Sequence, residues 1–201
     1  MPFQNTTIFD FETTGLSPTE DTIIEIAAIR IRNGKQVGTF SLLIDPEREV
    51  PEFITNLTGI TDEEVKGQPT LWEALPFFKQ FFGDSLLVAH NAAFDLAFLL
   101  EKCREYGYAE PTNEFIDTRA LCIEHFPYQS HKLVDMCEKL EIRLDGAHRA
   151  LNDVRATGNL LHKLNKEYGD AMGFKNKLYY FTKYGPPKGV PVHAELVAIG
   201  K

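Results

Sequence analysis

Cysteine is scarce in this 201-residue chain: Cys103, Cys122 and Cys137 are the only three, and no two of them form a CxxC pair. An odd, widely spaced set supports no disulfide framework, and a reducing compartment is the simpler expectation. Long apolar runs are missing too. No stretch approaches the roughly 20 apolar residues of a membrane span, and the opening MPFQNTTIFD has no basic stretch leading into an apolar core. A cytoplasmic protein with no membrane partner is therefore expected, and the Asn-x-Thr sequons at Asn5 and Asn56 are expected to be unused. Neither GxGxxG nor GxxxxGKS/T occurs, which removes the dinucleotide fingerprint and the P-loop. Positive charge is also short, with 21 Lys+Arg against 29 Asp+Glu and a net charge of -8. That balance argues against tight binding along lengths of duplex, which needs a basic face to neutralise phosphates.

What the chain does have is enough apolar matter for a core, 43% of its residues, in a length that suits one domain plus an extension. Thr7 to Phe11, Thr22 to Arg32 and Val37 to Ile44 read as strands, the last two joined by Asn33-Gly34, a strong hairpin signal. In the second strand, alternation puts Ile24, Ile26 and Ala28 on one face and Ile23, Ala27, Ile29 and Ile31 on the other, interrupted by Glu25 and Arg30. Thr61-Asp62-Glu63-Glu64 resembles a capped helix start. Trp72, Leu75, Phe78 and Phe82 predict a helix over residues 70 to 82 that Pro76 should bend or restart. Leu86 to His90 looks like a buried strand ended by Asn91, and a helix carrying Phe94, Phe98, Leu99 and Cys103 follows. A short strand at 114 to 117 and helices near 118 to 125, 131 to 140 and 150 to 168 complete the domain. Strands in a meander, then strands alternating with helices, predict an α/β fold with a mixed sheet covered on its faces.

Three acidic clusters stand out. Asp10 and Glu12 share one face of the first strand while Phe9 and Phe11 take the other. Two carboxylates near a core repel each other and cost desolvation energy unless a hard cation sits between them; a solvated strand end is the alternative. Asp95 lies just past the buried strand, where ligands collect in open α/β sheets, although an acid in a first helical turn also suits the helix dipole. His148 precedes a helix whose first turns carry Asp153 beside the stripe of Leu151, Val154 and Leu161. Most single histidines are structural, and His125, His131, His162 and His193 are expected to be so. Four carboxylates and one His from three segments have the makings of a two-metal phosphodiester hydrolase, with the imidazole as proton acceptor.

In order and spacing, Asp10-Phe-Glu12-Thr13-Thr14-Gly15-Leu16, His90-Asn91-x-x-x-Asp95 and His148-Arg-Ala-x-x-Asp153 resemble the DEDDh exonucleases, the DnaQ-like group that includes the proofreading epsilon subunit of bacterial DNA polymerase III. The resemblance takes in Leu57-Thr58-Gly59-Ile60-Thr61 and covers residues 6 to about 165. It implies a ribonuclease H-like fold with a five-stranded mixed sheet flanked by helices. It also implies 3'-to-5' hydrolysis to nucleoside monophosphates with two Mg2+ or Mn2+ ions. By position, Asp10 would bridge both ions, Glu12 and Asp153 would hold the one that activates water, Asp95 would support the second, and His148 matches the general base. Thr13, Thr14, Gly15 and Leu16 resemble the segment whose backbone meets the 3'-hydroxyl and whose Leu wedges beside the terminal base. His90, Asn91, Phe94 and Leu57 would line the same pocket, while Thr58 replaces a His of the epsilon subunit.

The expected substrate is a single-stranded or frayed nucleic acid 3' end, DNA first, with a DNA polymerase subunit as a candidate partner. An RNA-trimming relative of the ribonuclease T or oligoribonuclease type is the alternative within enzymes. A noncatalytic binding module is the alternative outside them, disfavoured because all five motif residues are present. The chain divides into an exonuclease domain, 1–168, and a C-terminal extension, 169–201. From Lys163 onward seven lysines face three acids, a net +4 in an acidic chain. In Phe174 to Pro187, aromatics and lysines interleave; this is either a packed strand or arm or a tail that docks a partner, the preferred reading, or a single-strand-binding surface.

Overall fold

The computed structural model describes residues 3–127 and 129–200; the domain limits at residues 1 and 201, and the last of the seven lysines, Lys201, lie outside the described residues. Strands β1 (Asn5–Thr13), β2 (Ile23–Arg32) and β3 (Lys35–Leu43) form an antiparallel meander. The β2–β3 turn is built on Asn33 and Gly34, both at positive φ (50° and 75°), as a two-residue hairpin requires. Strands β4 (Leu86–Ala89) and β5 (Phe115–Asp117) add parallel to β1, giving the order β3-β2-β1-β4-β5. Parallel strands need crossovers, and the helices between them provide these.

On one face, Phe9 and Phe11 of β1 pack edge to face at 5.3 Å and meet Phe78 of helix α3 (Leu71–Phe82) and Phe98 of α4 (Ala92–Glu105). On the other, Ile8, Ala27, Ile29 and Val88 pack under α5 (Thr118–His125), α6 (Leu133–Lys139) and α7 (Ala150–Tyr168). A smaller cluster joins Ile24 to Ile54 of α1 (Glu52–Thr58) and Val65 of α2 (Asp62–Val65). Helix α1, begun by Pro51, has no counterpart in the sequence reading. Alternation in β2 holds from Ile26 onward but not at its start, where a bulge between Glu12 and Thr13 breaks the register. There Ile23 joins the cluster of Ile26 and Ala28, while Ile24 turns to α1.

Helix α3 corrects two expectations. Reciprocal capping by Thr70 and Glu73 starts it, and it runs unbroken through Pro76. Proline lacks the N–H that would bond the carbonyl four residues back; that carbonyl, on Trp72, accepts instead from the Tyr108 hydroxyl at 3.1 Å. Trp72 itself is 58% exposed, and Leu71 and Ala74 fill the core positions it was expected to share.

Beyond α7, strands β6 (Lys177–Phe181) and β7 (Glu195–Ile199) form a separate parallel pair. The segment docks as an arm: Leu178 is buried, and Asn176 exchanges two hydrogen bonds with the Phe115 backbone, its side chain accepting at 2.9 Å and its N–H donating at 2.8 Å. These bonds also cover the edge of β5, which would otherwise present unpaired groups. No helix of the described residues is long and apolar enough to cross a membrane.

Candidate active site

Strand alternation brings Asp10 and Glu12 to the α7 face near the carboxyl end of β1. The pairing of β1 with β4 ends at Ile8–Val88, so the Phe11 N–H emerges past its neighbouring strand. Asp95, in the first turn of α4, supplies the missing acceptor, its Oδ1 lying 3.2 Å from that nitrogen. The chain reaches Asp95 through Asn91, a residue that tolerates the left-handed conformation it adopts there (φ 70°). Asp117, itself buried, fixes this turn by accepting from the Asn91 N–H at 2.9 Å.

From the opposite side, α7 delivers Asp153 in its first turn. Its Oδ2 accepts from the His148 N–H at 3.1 Å, whereas Oδ1 is buried without any hydrogen-bond partner. His148 sits at φ 64° with an exposed side chain. Among the described residues, Glu12, His148 and Asp153 offer ligand atoms that all lie within 4.8 Å of one another.

Crowding these acids together holds their protons on. Burial, then the charges of Asp95, Glu12 and Asp153, raises Asp10 well above the usual carboxylate range, although the residue keeps some exposure. Burial, then Asp153, Glu25 and Asp95, pushes Glu12 up to about 8. Asp153 rises to about 6, and Asp95 well above its ordinary value, both chiefly by burial. A buried carboxylate oxygen with no donor, in a group of acids that cannot all ionise, fits a divalent cation, which takes carboxylate oxygens and cancels their repulsion.

Glu25 is a site residue that sequence reasoning passed over. It stands directly across from Glu12 in the β1–β2 ladder, a like-charge opposition that sheets avoid unless it is compensated. Arg149 compensates it with two contacts, 3.1 Å and 3.4 Å, and the Ala150 N–H donates to the same carboxylate at 2.9 Å. Glu25 thereby ties the start of α7, and with it His148 and Asp153, to the sheet. The available signal was a glutamate interrupting an apolar strand; its partner depended on strand register. We expect Arg149→Ala to strand the buried Glu25 charge and lower stability by about 2–3 kcal/mol, less than for a fully enclosed pair because Arg149 is 42% exposed. A melting temperature lowered by roughly 5–10 °C is the expected reading, and an unchanged one would show that the pair carries no weight.

The residues expected to touch substrate fall into two groups. Leu16, 84% exposed, Asn91 and Phe94 line one cavity of about 570 Å³, with Phe98 and the Pro187–Gly189 segment as further walls. The Thr13 and Thr14 hydroxyls are occupied inside the turn, donating to the Gly15 carbonyl at 2.6 Å and to Asp21 at 3.2 Å. Asp21 also accepts from the Ser17 N–H, and a β-carbon on Gly15 would lie 2.4 Å from its carboxylate, so glycine is needed there for close approach. His90 borders a second cavity, but Nε2 donates to the His131 carbonyl at 2.8 Å, leaving Nδ1 to accept from Thr118 at 2.9 Å. Burial lowers its pKa to about 4, so the ring is neutral. Leu57 lies on α1, half exposed, and is not among the residues lining the Leu16 cavity. Thr58 is buried with its hydroxyl donating to the Ile54 carbonyl.

Comparison with known proteins bears on this geometry. A family profile described as exonuclease matches residues 7–161. Over 161 residues, the chain is 42% identical to "DNA polymerase III PolC-type" of Halalkalibacterium halodurans, covering 80% of this chain and 11% of that protein. Over 196 residues it is 40% identical to the PolC-type protein of Latilactobacillus sakei, covering 95% of this chain and 14% of that one. The chain thus spans only 11–14% of the length of these curated relatives. A solved structure of exonuclease X in complex with 5' overhanging duplex DNA superposes with a TM-score of 0.67 at 26% identity, over 84% of this chain and 96% of the other.

Proposed function

The chain belongs to the exonuclease family, in its DEDDh group, and from that membership we propose that it hydrolyses single-stranded or frayed DNA stepwise from the 3' end, releasing nucleoside monophosphates. The observation that carries this reading is the crowding of Asp10, Glu12, Asp95 and Asp153, whose charges oppose one another's ionisation, with His148 offering a ligand atom within 4.8 Å of those of Glu12 and Asp153. We assign the four carboxylates to two divalent cations, Mg2+ or Mn2+. When bound, such ions neutralise the carboxylates and stabilise charge on the attacking and leaving oxygens of a phosphodiester.

The chain's own groups do the rest. His148, exposed beside Glu12 and Asp153, accepts the proton of the attacking water. Leu16 and Phe94 grip the terminal base by apolar contact, while Leu57, outside the cavity that those two line, is given no part in that grip. The Gly15 and Leu16 backbone meets the 3'-hydroxyl, in a turn that Thr13, Thr14 and Asp21 hold in shape. Asn91 borders the same cavity, while His90 acts through position rather than by a free ring nitrogen.

DNA is favoured because the curated relatives are, by name, DNA polymerases, and exonuclease X is solved with DNA. We also propose a cytoplasmic location and work beside a DNA polymerase activity; the names of the relatives support the second. Matched single-stranded DNA and RNA oligonucleotides, digested with Mn2+ present, test the substrate class. We expect DNA to be shortened at least about tenfold faster, since a shaped pocket discriminates a hydroxyl on that order. Equal rates, or faster loss of RNA, would remove the DNA assignment.

A further inference from the structure

The second cavity carries a further site. It measures about 470 Å³, in the range of pockets that hold small ligands, and its lining includes Arg119, Lys132, Phe181, Lys183 and Tyr184. Three cations and no acid line it among the described residues, in a chain of net charge -8. Among the described residues none of the three cations makes an ion pair. The aromatics stand beside them: Arg119 lies 5.8 Å from the Phe181 ring centre and Lys183 lies 4.6 Å from that of Tyr184. Tyr184 is 76% exposed, so its ring remains available to a ligand.

Position relative to the Leu16 cavity, proposed above to take the terminal base, decides what the ligand is. Asn91 borders both this cavity and the one containing Leu16 and Phe94. The C-terminal arm lines both as well, through Phe181 to Tyr184 in the first and Pro187 to Gly189 in the second. One continuous segment therefore runs alongside two adjoining cavities. The arm is held in place by Leu178, Asn176 and the Lys175–Glu114 ion pair (2.7 Å), which leaves Lys183 and Tyr184 unneeded for docking.

We infer that the arm forms an upstream subsite, in which Arg119, Lys132 and Lys183 hold phosphates of the single strand 5' to the scissile nucleotide and Tyr184 stacks on one of its bases. Unpaired cations alternating with aromatic faces suit single strands, because phosphates take the charge and every base has a face to stack. This inference rests on the exonuclease reading, and it confines the contact to a few nucleotides beside the cleft.

Kinetics on the full chain with Mn2+ separate the two. The probes are an eight-residue oligothymidylate and the p-nitrophenyl ester of thymidine 5'-monophosphate, which has no upstream nucleotide. In the doubly substituted Lys183→Ala, Tyr184→Ala protein we expect KM for the octamer to rise about tenfold, as loss of one stacked base and one phosphate contact implies. We also expect kcat within about twofold, a shallower dependence of KM on salt, and ester hydrolysis at the wild-type rate. Wild-type protein that cleaves neither probe overturns the exonuclease reading. Wild-type protein that cleaves both, beside a variant with unchanged KM and salt dependence for the octamer, overturns the subsite alone and leaves the cations to an acidic protein partner.

Discussion

Replacing Asp10 with Asn is expected to lower kcat by ~10³-fold or more while raising the melting temperature of the metal-free protein. The two effects have one origin. Asp10 is crowded by Asp95, Glu12, Asp153 and Glu25, whose charges add to burial in opposing its ionisation. Asn keeps the size and loses the charge, so repulsion among the acids of the metal-free protein falls and the folded state gains. The same loss removes a central anchor for the cations, whose stabilisation of the reacting phosphate is worth several kcal/mol, with each 1.36 kcal/mol a factor of ten in rate. Steady-state kinetics with Mn2+ and a thermal melt in chelator read both. A variant within tenfold of wild type would place the reacting centre elsewhere.

In chelator, stability should fall as pH rises from about 4 to about 8, and divalent cation should abolish the fall. A carboxyl whose folded pKa is raised binds its proton more tightly in the native state than in the unfolded chain. Its contribution is complete below the unfolded value, near 4, and is lost as pH climbs through the folded value. Here the folded values reach about 6 for Asp153 and about 8 for Glu12, with Asp10 and Asp95 also raised. The metal-free melting temperature should drop on the order of 5–10 °C across that window. Bound cations reverse the preference by favouring the ionised carboxylates. Melts at half-unit pH steps, with chelator and with Mn2+, are the measurement; stability that rises with pH in chelator would mean that the four acids are paired or solvated rather than crowded.

Much of the fold was legible because its cues are local. Alternation put Asp10 and Glu12 on one side of a strand and the two phenylalanines on the other, and the packing of Phe9 and Phe11 against Phe78 follows from it. Asn33-Gly34 specified its hairpin, and the Thr61–Glu64 pair marked the start of α2. What stayed hidden depended on distant partners. Nothing near Pro76 announces that Tyr108 will bond the carbonyl it leaves free, so a restart of the helix looked as open as a bend. Glu25 looked like an interruption because its meaning lies in standing opposite Glu12 and next to Arg149, 124 residues away. Likewise, Thr13, Thr14 and His90 carry the family pattern, but only the hydrogen bonds reveal that their polar atoms are occupied within the protein.

The central claim is that this cleft removes nucleotides one at a time from a 3' end by a cation-dependent hydrolysis centred on Asp10. Its most direct measurement is a time course on single-stranded DNA labelled at the 5' end, run for wild type and Asp10→Asn, with Mn2+ and with chelator. A ladder of labelled strands shortening by single residues, present only for wild type with Mn2+, is the predicted result. Immediate release of the label as a mononucleotide, a burst of internal fragments, or a ladder that persists in chelator or in the variant would contradict it.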